Sequence, residues 1–130
     1  MLKKLLLLGV ISGVLAGIAS IIYQKVYASS LGEGFTSVVT PVNIMVGSIV
    51  GTLVAALGYW LLSKVLKGNT EAVFNLLFAI LSFATILGPF AAKLPMEIEA
   101  PELFPGLTIP MHFFPALAWF TLKPLFAKSV

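Results

Sequence analysis

The chain predicts an all-α fold, a four-helix transmembrane bundle with both termini on the cytoplasmic side. Three observations predict it. Four apolar stretches, each long enough to cross a bilayer as a helix, are separated by polar or proline-bearing connections. The 130 residues are 59% hydrophobic and 10% charged, with a mean hydropathy of +1.07, whereas soluble domains carry about 25% charged residues. A soluble core this small could not hide so much apolar surface, so lipid must solvate much of it. Finally, the lysines collect at alternate ends of the apolar stretches. One transmembrane domain over 1–130 is expected, with spans at about 5–26, 41–64, 72–90 and 109–127.

The first span contains the uncharged run Leu5–Gln24, held between Lys4 and Lys25. At a rise of about 1.5 Å per residue it is about 30 Å long, the thickness of the hydrocarbon core. A cleaved signal peptide ending near Gly17-Ile18-Ala19 is the competing reading. The run continues through Ile21, Ile22 and Tyr23, past the length of a signal core, and favours a retained helix. Gly9, Gly13 and Gly17 recur every four residues and lie on one helical face, where another helix can approach closely. Tyr23 and Tyr27 mark the far interface.

Thr40-Pro41 reads as an N-cap followed by proline at the first helical position of span two. Gly47, Gly51, Ala55 and Gly58 form a second small-residue strip, which is expected to face the first or to serve a second copy of the protein. Lys64, Lys67 and Gly68 close the span, and Asn69, Thr70 and Glu71 suit the start of the next. In span three, Asn75, Ala79, Ser82 and Thr85 share a face expected to point into the bundle, with Phe and Leu toward lipid. Pro89 ends or bends that helix. Residues 91–108 read as a long acidic, proline-rich connection, and the last helix as starting near Ile109 or Pro110 with a kink at Pro115.

Lys3, Lys4, Lys64, Lys67, Lys123 and Lys128 fall on one side of this arrangement, and Lys25 and Lys93 on the other. The positive-inside bias therefore puts both termini in the cytoplasm of a multi-pass inner-membrane protein.

Chemistry-bearing residues are few. His112 is the single histidine, expected in the first turn of the last helix. As a ligand-binding group it would work with Met111 and with Glu97, Glu99 or Glu102 folded over it. As a structural group it would bond a carbonyl or carboxylate at the interface. A lone histidine with unspaced carboxylates matches no metal signature, which favours the structural reading, so no metal or cofactor is expected. The three glutamates are equally explained as a solvated loop. No acid lies inside a span and no lysine sits centrally, which argues against ion-coupled transport. With no Cys and no catalytic motif, no catalytic residue is assigned and no enzyme is expected. The lysines form no patch suited to nucleic acid.

The basic leader, the glycine-bearing first helix, Gly51-Thr52-Leu53-Val54-Ala55-Ala56 and Met111-His112 together resemble a family of small bacterial four-helix integral membrane proteins, a domain of unknown function. The resemblance implies four spans with a histidine near the start of the last, and no particular activity. Two functions follow as expectations. The first is helix–helix association, with itself or a membrane partner, through Gly9, Gly13, Gly17, Gly47, Gly51, Gly58, Asn75 and Ser82. The second is a ligand-binding or transport component with an outward-facing pocket near His112, under the 91–108 connection.

Overall fold

The computed structural model describes residues 1–32, 35, 36, 38–91 and 101–127, omitting the side chains of Pro101 and Ala127. Its helices are α1 (Leu2–Leu31), α2 (Pro41–Val65), α3 (Thr70–Thr85), the short α4 (Leu87–Ala91) and α5 (Phe104–Ala127), with a 3₁₀ turn at Pro101–Leu103 before α5. No strand occurs among the described residues, and the fold is all-α. Three helical stretches are long and apolar enough to cross a membrane: Leu2–Leu31, Pro41–Val65 and Thr70–Ala91. We call the end where α1 joins α2 and where α5 begins the upper end, and the opposite end the lower.

Local chemistry sets the helix ends. The Thr40 hydroxyl accepts from the Asn43 amide at 3.2 Å, and Pro41 occupies the first turn, as the sequence predicts. Gly68 takes a φ of 123°, a left-handed value suited to glycine in the turn between α2 and α3. Asn69 precedes α3 without a side-chain cap; instead the Thr70 hydroxyl donates back to the Leu66 carbonyl at 3.3 Å.

Pro89 interrupts its helix upstream of itself. Proline offers no donor to the carbonyl four residues earlier and clashes with it. That carbonyl belongs to Thr85, where α3 ends, and Ile86 separates α3 from α4.

The last helix departs from expectation. It begins at Phe104 rather than near Ile109, so 101–108 is helical and not connection, and it runs through Pro110, Pro115 and Pro124. Pro110 leaves the Gly106 carbonyl without its helical donor. The Tyr23 hydroxyl supplies one at 2.8 Å, and the Tyr27 hydroxyl donates to the Leu103 carbonyl at 2.6 Å. These tyrosines pin the start of α5 to the end of α1.

Packing is uneven around the bundle. The α1 helix lies along α2 and α5, while α3 closes the ring more loosely. The lower core joins all four long helices through Leu5, Leu8, Ala56, Tyr59, Phe74 and Trp119. The Phe74 ring meets Tyr59 at 5.1 Å and Trp119 at 5.5 Å. Trp119 is fully buried, with no partner for its indole N–H among the described residues. Beside it the buried Lys123 ammonium pairs with Glu71 at 3.1 Å and sits 4.6 Å from the Tyr59 ring centre, tying α5 to α3 and α2. The upper cluster, Phe35, Phe104 and Leu107 with Tyr23, Tyr27 and Met111, contains no residue of α3. Higher up, α3 leans on α5 through Phe83 and Phe113, 5.1 Å apart. It leaves Leu76, Leu77, Ile80 and Leu81 exposed.

Candidate ligand groove

The two glycine strips do not face one another. Gly9, Gly13 and Gly17 face α2, where an added Cβ would meet the Thr52 oxygen, Ile49 and Met45 respectively. The close approach lets the Thr52 hydroxyl reach across to the Gly9 carbonyl at 2.6 Å. Gly47, Gly51 and Gly58 have open space where their side chains would be. The reason is angular. At about 100° per residue, the face carrying Met45, Ile49, Thr52 and Ala56 and the face carrying Gly47, Gly51, Ala55 and Gly58 point about 135° apart.

The open strip floors a groove of about 850 Å³ between α2 and α3, reached by Ser20 of α1 and by Thr108, Met111, His112 and Pro115 of α5. It is an open trough rather than an enclosed cavity. It exists because α3 is fastened to α2 at the lower end, through Phe74 and Tyr59, and follows α5 above that. From Asn43 to Val65 the groove follows nearly all of α2, about 33 Å at helical rise.

Its chemistry changes with height. Ser20, Asn43, Ser48, Ser82, Thr85, Thr108 and His112 all belong to the upper half. The lower half is Ala55, Gly58, Leu61, Leu62, Val65, Phe74, Leu77 and Phe78. No lysine or glutamate lines the groove among the described residues. Ser20 is fully buried and its hydroxyl has no partner among the described residues. The His112 Nδ1 lies 2.7 Å from the Thr108 carbonyl. A carbonyl only accepts, so Nδ1 carries the proton and Nε2 is the ring nitrogen left for a ligand.

The structure brings Met111 and His112 together on this groove and keeps Glu102 apart. Glu102 is exposed on the 3₁₀ turn, ten residues from His112, about 15 Å along the helix. Glu97 and Glu99 lie outside the described residues. Of the span-three pair, Ser82 is buried on the groove. Asn75 is half-buried off it, with a buried side-chain oxygen that has no partner among the described residues. No group of three or more His, Cys, Asp or Glu could hold a metal among the described residues. Sequence reasoning missed Ser20, Ser48 and Thr108, which read as ordinary packing residues of membrane helices. Their only signal is position: Ser48 and Thr108 fall in the upper part of their helices, and Ser20 lies just above the middle of α1.

An open trough that is apolar along one half and carries hydrogen-bonding groups along the other has the shape and chemistry to take an amphiphile. No protein-family model, curated protein or solved structure matches the chain.

Proposed function

We propose that this chain is a non-enzymatic, four-span protein of the bacterial cytoplasmic membrane that binds an amphiphilic ligand in the α2–α3 groove. Both termini lie in the cytoplasm, so the upper end, with His112, faces outward. The lysine distribution supports this orientation. Helix α5 serves as the fourth span. It packs along α1, with Thr108, Trp119 and Lys123 all buried.

The observation that carries the reading is the groove itself, open along α2, polar above and apolar below. Native mass spectrometry of the protein released from its own membranes tests it. The expected result is an adduct of lipid size that disappears in Gly51→Leu while the helical content is kept. Adduct-free protein in both forms would overturn the reading.

A second reading, the docking of a helix from another copy or a membrane partner, is favoured by the bare backbone of Gly47, Gly51 and Gly58. The native chain has no cysteine, so Gly51→Cys gives a single reporter. Disulfide-linked dimers formed at this position in membranes would support the second reading over the first.

A further inference from the structure

We infer that the ligand of this groove is a lipid with an uncharged head bearing both a hydroxyl and a carbonyl, of the glyceride class. Its head would sit among Ser20, Ser48 and His112, and its chain would run down past Ala55 toward Leu62. The inference rests on the groove being a ligand site and adds the chemistry of what fills it.

Three features carry it. Ser20 is fully buried, lines the groove and has no partner for its hydroxyl among the described residues. A buried hydroxyl without a partner is unfavourable, and more so in a bilayer, where no bulk water can satisfy it. A ligand atom beside Ser20 would complete it. His112 is the complementary group, because its Nδ1–H is spent on Thr108 and Nε2 is left to meet the ligand, as an acceptor in this tautomer. A head that both donates to Nε2 and accepts from Ser20 matches a hydroxyl next to an ester carbonyl.

The charge pattern disfavours an anionic head. A phosphate or carboxylate placed here would meet no lysine among the described lining residues. Such a charge held unpaired in a medium of low dielectric is strongly disfavoured. Lys123 is no substitute, since it lies at the lower end and is paired with Glu71. Below the head the glycine and alanine positions leave an apolar channel. From Gly51 to Val65 it extends about 21 Å at helical rise, room for an acyl chain lying against α2.

The test uses the full chain in nanodiscs of zwitterionic lipid and a monoacylglycerol carrying a diazirine in its chain. Labelling is expected on Phe74–Leu81 and the facing part of α2. Unlabelled monoacylglycerol should compete, whereas fatty acid and phosphatidylglycerol should compete about tenfold less well. Ser20→Ala and His112→Phe are each expected to weaken the glyceride by about five- to tenfold, the effect of one lost hydrogen bond, and to bring it level with the anionic lipids. Equal competition by all three lipids, or no effect of either variant, would overturn the uncharged-head assignment while leaving groove binding in place. Labelling that is unchanged in both Gly51→Leu and Gly47→Leu would sink the groove reading and this inference with it. Both glycines have open space at Cβ, so these variants are expected to fold, and retained helical content checks that.

Discussion

Helices α1 and α2 carry glycines at nearly the same spacing and use them in opposite ways. On α1 the missing side chains let α2 come close enough for the Thr52 hydroxyl to bond the Gly9 backbone. On α2 they leave a trough that no described side chain fills. The strips differ in what stands opposite them. The first faces Met45, Ile49, Thr52 and Ala56, a combination of flexible, small and hydrogen-bonding groups. The second faces α3, which is held away above Phe74 by its packing on α5. Small-residue spacing therefore marks where a helix surface is low, and its neighbour decides whether the low surface becomes a contact or a site.

The sharpest way to break this comparison is Gly13→Ala. Its Cβ would lie 2.5 Å from the Thr52 hydroxyl oxygen and 2.6 Å from the Ile49 Cα, and backbone cannot swing aside as a side chain can. A loss of about 3 kcal/mol is expected from overpacking, read as a lowered unfolding midpoint in detergent micelles. Gly17→Ala, which meets the flexible end of Met45 at 2.5 Å, should cost under about 1 kcal/mol. Equal losses at the two positions would show that α1 and α2 are not held where Ile49 places them.

The next effect concerns what keeps the second strip open. Glu71→Gln removes the carboxylate paired with the buried Lys123 ammonium and so loosens the lower fastening of α3. A fully buried pair broken this way costs about 3–5 kcal/mol. The Glu71 side chain is 57% exposed, and solvent screening lowers the expectation to about 1–2 kcal/mol. Added salt should shrink the wild-type advantage. A salt-independent difference would assign the effect to packing instead.

Much of this architecture is legible in the sequence, for identifiable reasons. Thr40-Pro41 and Glu71 mark helix starts because capping is local chemistry, complete within one turn. The start of α5 is not legible, because Pro105 and Pro110 argue for a loop. What keeps those residues helical is tolerance of proline in a first turn and a tyrosine hydroxyl from α1. The site divides the same way. His112 and Met111 stand out by type, while Ser20 and Ser48 are ordinary membrane residues until α3 is seen to diverge. The choice between the two faces of α2 is equally hidden. Ser48, Thr52 and Ala56 are nearly as small as Gly47, Gly51 and Ala55, and only the tertiary contact separates them.

A smaller effect sharpens the α1–α2 side. Thr52→Val keeps the shape and removes the hydroxyl that bonds the Gly9 carbonyl, for an expected loss of about 1 kcal/mol in the same unfolding measurement. A neutral result would mean that the hydroxyl serves only its own helix, through the Ser48 and Ile49 carbonyls at 3.0 and 3.1 Å.

The last effect is the smallest and changes sign. Gly51→Ala adds a methyl group where nothing lies within 4 Å. Alanine also stabilises a helix interior by up to about 1 kcal/mol relative to glycine. The same substitution that damages α1 at Gly13 should therefore leave α2 unchanged or slightly stabilised in micelles. The contrast becomes more informative when repeated in native membranes. An acyl chain in the groove conforms to an added methyl and keeps the sign. A helix seated on the strip as closely as α2 sits on Gly9 would reverse it, and that reversal, found only in the membrane, would favour a protein partner over a lipid.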